Sequence, residues 1–104
     1  MSTNSAVLKL SLAPPLKALI TILRKLYVQA GGGRRITALK RGVPPGPILD
    51  SVDEVLRILE SEGMIGEFGG VIQPVRREAG RAHAILASGN LSQDRIVTRV
   101  KALR

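Results

Sequence analysis

The sequence predicts one α+β domain of four to five helices with a short antiparallel hairpin. Through most of the chain, apolar residues recur at three- and four-residue steps, the period of half-buried helices. Two short apolar runs, "MIGEF" and "VIQPV", meet across Gly69 and Gly70, which is a hairpin signal. The 104 residues are the length of a single core, able to bury roughly 60 to 70% of the surface the unfolded chain exposes. No linker or repeat divides them. The expectation is one domain over residues 1–104, with a core at about 16–87 and a C-terminal helix at about 92–103.

The elements follow in order. "VLKLSLA" alternates Leu8, Leu10 and Leu12 against Lys9 and Ser11, the period of a short N-terminal strand. Pro14 and Pro15 suit the first turn of a helix, where a missing N–H costs nothing. That helix buries Leu16, Leu19, Ile20, Leu23, Leu26 and Tyr27, turns Lys17, Thr21, Arg24 and Lys25 outward, and ends at the glycines 31–33. "RRIT" extends briefly. "TALKRG" is then a one- to two-turn helix with Thr37 as its cap and Gly42 as its stop. Pro47 opens the clearest helix, whose core face is Leu49, Val52, Val55, Leu56 and Leu59 and whose C-terminal cap is Gly63. In the hairpin after it, Gly66 eases a bend or a close contact, and Pro74 calls for an edge at its own position. A fourth helix buries Ala79, Ala82, Ile85 and Leu86. A fifth starts at Ser92 and carries a stripe of Ile96, Val97, Val100 and Leu103.

Composition excludes several functions. There is no cysteine, so disulfides, thiol catalysis and cysteine-ligated metals are ruled out. His83 is the only histidine, so no histidine metal pair exists, and no Walker, nucleophile-elbow or paired-ligand spacing occurs. A non-enzymatic protein without metal or cofactor is expected. The longest apolar runs are far short of the roughly 20 residues that cross a bilayer, and the N-terminus lacks the pattern of a secretory signal, so a cytoplasmic protein is expected.

The net charge of +8 points to a polyanionic partner. It is unevenly spread. Residues 48–68 carry six acids and only Arg57, while the rest of the chain carries 15 basic and 2 acidic residues. Three basic groups stand out: Arg34, Arg35, Lys40 and Arg41; Arg76, Arg77 and Arg81; and Arg95, Arg99, Lys101 and Arg104.

The order of these elements resembles the winged-helix superfamily, a branch of the helix-turn-helix group. The likeness covers about Leu16 to Leu86. "LKALITILRKLYVQAGG" is similar to that family's first helix, and "ITALKRGVPPGPILDSVDEVLRILESEGMI" to its second and third. "GEFGGVIQPVRREAGRAHAIL" is similar to its wing and closing segment. A narrower likeness, in "ILRKLYV" and "LRILESEGMI", is to a winged-helix protein of the archaeal small ribosomal subunit. The resemblance implies nucleic-acid binding, with the second helix and the wing flanking the backbone. Arg34, Arg35, Lys40, Arg41, Arg76, Arg77 and Arg81 would then clamp phosphates, for which the arginine fork is well suited. With only Tyr27 and Phe68 as aromatics, stacking on single strands is disfavoured. Duplex DNA, in transcription regulation or chromosome organisation, is the preferred target over RNA.

The third helix departs from an orthodox reading head. Its exposed Asp50, Asp53 and Glu54, with Arg57, would set three carboxylates against the duplex. A structural role is available for them, with Asp50 at the positive end of the helix dipole and Asp53 paired to Arg57. The functional alternative is that Asp50, Asp53, Glu54 and Arg57 form a contact for a protein partner in a larger assembly. The stripe of Ile96, Val97, Val100 and Leu103 is the candidate surface for a homodimer.

Overall fold

The computed structural model of the protein describes residues 13–29, 32–88 and 93–103. The alternating segment at residues 8–12, expected as a strand, lies outside them. Within the described residues the chain runs α1 (Pro14–Leu23), β1 (Arg34–Arg35), α2 (Ile36–Lys40), α3 (Pro47–Ser61), β2 (Ile65–Phe68), β3 (Val71–Pro74), α4 (Ala79–Ser88) and α5 (Arg95–Lys101). The expected α+β class is thus what forms, with five α-helices and one small sheet.

The prolines act as expected: Pro14 and Pro15 occupy the first turn of α1, and Pro47 that of α3. α1 does not stop at its last α-helical residue but widens into a π turn over Arg24–Val28, closed by the Gln29 amide donating to Arg24 O at 2.9 Å. α2 starts one residue earlier than its presumed cap, so Thr37 lies inside it and Arg35 precedes it without a side-chain cap. α3 ends in a Schellman motif. Met64 N donates to Leu59 O and Gly63 N to Glu60 O, with Gly63 at a φ of 75°, a conformation in which a side chain is strained.

β2 and β3 are joined by the two-residue Gly69-Gly70 turn, both at positive φ, as the right-handed twist of a tight hairpin favours. The sheet order is β1-β3-β2, all antiparallel, so β3 is the central strand. Pro74 is accommodated there because β1 is two residues long and pairs only with Val71 and Ile72. Gly66 serves a close contact: a Cβ there would stand 3.0 Å from the Phe68 ring.

The core is aliphatic. Leu19, Ile22 and Leu23 of α1 meet Val52, Val55 and Leu59 of α3, with Leu39, Met64 and Ile85 closing the sides. Ile58 is buried as well, although it lies off the expected stripe, and Leu49 is only half-buried. Neither aromatic is a core residue: Tyr27 packs at the margin, and Phe68 is 68% exposed.

α5 corrects one expectation. Ile96, Val97 and Val100 are fully buried against α1 and α3, and Leu103 packs on the same cluster. The chain covers this stripe itself, which removes the reason for placing a dimer contact there. The residue capping α5 is Asp94, whose side chain accepts from Ile96 N at 2.8 Å; Ser92, the expected cap, lies outside the described residues.

Candidate nucleic-acid interface

The end of α1 organises the first basic group. Lys25, expected on the outer face, turns back instead, and its Nζ donates to Leu39 O at 3.0 Å and Arg41 O at 2.7 Å, with Ala38 O at 3.4 Å. These are carbonyls at the C-terminus of α2, where a cation offsets the helix dipole. Arg34 Nε donates in turn to Lys25 O at 3.0 Å, which ties β1 to the π turn. Burial, and then the charges of Arg34 and Arg41, hold the Lys25 ammonium below the ordinary lysine value. That dependence marks Lys25, Arg34 and Arg41 as one local concentration of positive charge. Arg35 and Arg41 are exposed, and Arg34 and Lys40 half-buried.

The same π turn reaches the second group. Tyr27 Oη donates to Met64 O at 2.6 Å, accepts from Val75 N at 3.1 Å, and lies 3.2 Å from Val75 O. Val75 is followed at once by the 3-10 turn Arg76–Glu78, on which Arg76 and Arg77 are exposed. Burial pushes the Tyr27 phenol up from its ordinary value, so it remains a neutral strut. Segments carrying Arg34 to Arg41 on one side and Arg76 and Arg77 on the other are therefore anchored to one five-residue stretch.

Arg81 does not join them. Its Nε lies 2.6 Å from Asp94 Oδ2, and its Nη2 donates to Asp94 Oδ1 at 3.0 Å and Glu62 Oε1 at 3.1 Å. Glu78 is a further partner at 3.7 Å. Glu62 also takes Arg95 and Arg99, each at 3.0 Å, while its side chain is only 5% exposed. Hydrogen bonding from Arg95, then from Arg81 and Arg99, outweighs burial and brings the Glu62 carboxyl down to about 2. Arg81 likewise holds Asp94 below the usual carboxylate range. Three arginines and three carboxylates thus form a neutral knot joining the end of α3 to α4 and α5. As a phosphate ligand Arg81 is corrected by this geometry, and Arg95 and Arg99 of the third basic group are engaged in the same knot.

The knot separates the remaining charge. Because the knot is balanced in itself, it contributes nothing to the net charge of +8. The five other acids are Asp50, Asp53, Glu54 and Glu60 on α3 and Glu67 on β2, all exposed. Asp53 pairs with Lys40 at 3.4 Å, not with Arg57, so Lys40 is partly neutralised and α2 is tied to α3. Asp50 is in the first turn of α3, as expected. His83 is exposed on α4.

Sequence reasoning missed Lys25, Tyr27 and Glu62 as organising residues. Their partners lie 13 to 48 residues away, so no local spacing signals them. Asp94 did carry a signal, as an Asp directly before an apolar helical stripe.

No helix among the described residues is long and apolar enough to cross a membrane. No protein-family model, curated protein or solved structure matches this chain.

Proposed function

We propose that this chain is a winged-helix domain that binds the backbone of double-stranded nucleic acid, DNA in the first instance, with little base readout. The fold assignment is supported by the order helix, strand, helix, helix, hairpin together with the sheet order β1-β3-β2. The single observation that carries the function is the charge left after the knot is closed: a net +8, with Arg35, Arg41, Arg76 and Arg77 exposed on segments held by the end of α1. A duplex carries one phosphate charge about every 1.7 Å, so such a surface gains affinity by releasing counterions. α3 faces away from this role, because Asp50, Asp53 and Glu54 on its exposed side repel phosphates. Contact through the two arginine segments, with α3 outside the major groove, satisfies both facts.

The test is fluorescence anisotropy with a labelled 20-base-pair duplex across a salt titration. Binding should weaken steeply with salt, and Arg76→Ala combined with Arg77→Ala should lower both the affinity and the salt slope. An affinity indifferent to salt, or to this double substitution, would overturn the reading.

A further inference from the structure

A groove of about 380 Å³ opens between α3, the start of α2 and the sheet. Its floor is aliphatic, made by Ile36, Leu56, Ile65 and Ile72, of which Ile36 is 37% exposed and the others nearly buried. Its rim is acidic: Asp53 and Glu60 rise from α3 and Glu67 from β2, with Arg57 as the one cation lining it. Ion pairs among the described residues engage Asp53, Glu62, Glu78 and Asp94 but not Glu60, Glu67 or Arg57, so the groove's lining keeps more acidic than basic charge.

We infer that this groove docks a basic protein segment that inserts one or two aliphatic side chains between flanking arginines or lysines. Three observations select that occupant. The volume lies at the lower end of the ~300–1,000 Å³ of small binding sites, which suits side chains more than a folded surface. The rim complements positive charge and repels a duplex, so the groove, although it borders the phosphate surface at Arg35 and Lys40, suits a different ligand. A second copy of this chain is disfavoured, because two molecules of net charge +8 repel each other. The same net charge makes the rim decisive: a cationic segment approaches an otherwise repulsive molecule and is held where Asp53, Glu60 and Glu67 outnumber Arg57. The acids of α3, which fit no duplex, thereby acquire a use, and the domain would bridge nucleic acid on one surface and a basic partner on another.

The probe is a fluorescent ten-residue peptide of alternating arginine and leucine, with control peptides carrying serine for leucine or glutamate for arginine. Methyl NMR should show Ile36, Ile65 and Ile72 shifting on titration, and neither control should compete. Glu60→Lys with Glu67→Lys should weaken binding about tenfold, as reversal of two rim charges does. Ile36→Ser should weaken it about fivefold, the loss of one partly exposed aliphatic contact. All three residues are exposed, and circular dichroism checks that the fold is kept. Arg76→Ala with Arg77→Ala should leave peptide affinity unchanged, so failure of the phosphate reading and failure of this one are distinguishable. Equal affinity in the Glu60→Lys, Glu67→Lys variant, equal binding of the serine peptide, or a shift of the same methyls on concentrating the protein alone would each overturn the inference.

Discussion

Two groups of arginines on this molecule have opposite surroundings. Arg81, Arg95 and Arg99 converge on Glu62, with Asp94 and Glu78 as further partners of Arg81, and the six charges cancel. Arg76 and Arg77 lie exposed on the turn that follows β3, a few residues before Arg81. Exposure alone does not separate the two groups, since the Arg95 side chain is 76% exposed and still donates to both Glu62 oxygens. What separates them is the buried carboxylate. A guanidinium facing one is a structural tie whatever its own exposure, whereas one without such a partner can meet a phosphate.

The largest effects should therefore fall on stability in one group and on binding in the other. Glu62→Gln removes the negative charge that three arginines share, and one of the two acceptor oxygens, and should cost about 2–3 kcal/mol of stability by urea denaturation. Arg76→Ala with Arg77→Ala should change stability by less than about 0.5 kcal/mol. The pH dependence has a definite sign. Glu62 titrates near 2 in the folded chain against 4.5 ordinarily, so its contribution is complete above about 4.5 and is lost as pH falls toward 2. The lowered Asp94 carboxyl adds in the same direction. Urea midpoints should fall through that window in the wild type and less steeply in Glu62→Gln. A matching slope in both would dissolve the distinction between the groups.

Next in size is the effect on duplex binding. Removing Arg76 and Arg77 together should weaken affinity on the order of tenfold and reduce the salt slope by about 1 to 2. Arg95→Ala should barely change that slope, because its charge is already balanced by Glu62. If Arg95→Ala proved the more damaging substitution, the knot would be part of the interface and the comparison would fail.

Why the sequence revealed one half of this picture and hid the other is a matter of range. The helices, the Gly69-Gly70 hairpin and the Gly63 cap were legible because periodicity and turn chemistry act over a few residues. The segregation of charge was legible too, as six acids in residues 48–68. Glu62, however, read as one more surface acid of that segment, since its partners are 19, 33 and 37 residues distant. Likewise the Ile96, Val97 and Val100 stripe read as unpaired because nothing local says that α1 and α3 will cover it. Tyr27 belongs with these hidden residues: Tyr27→Phe removes its bonds to Met64 O and Val75 N and should cost about 1 kcal/mol in urea denaturation, with the hairpin amides exchanging faster.

The smallest effect tests the one residue shared between the two charge regimes. Lys40 belongs by sequence to the basic group around α2, but it pairs with Asp53 at 3.4 Å, both side chains being substantially exposed. An exposed pair of this kind is worth roughly 0.2–1 kcal/mol. Asp53→Asn should therefore alter stability by no more than about 0.5 kcal/mol while releasing Lys40 and removing one repulsive charge. Duplex affinity should rise about two- to threefold, the modest gain expected of a single exposed charge. In the Lys40→Ala background the same substitution should gain less, because only the repulsion is then relieved. Equal gains in both backgrounds would mean that Lys40 is no phosphate ligand even when freed, leaving Arg34, Arg35 and Arg41 to carry the α2 side of the interface.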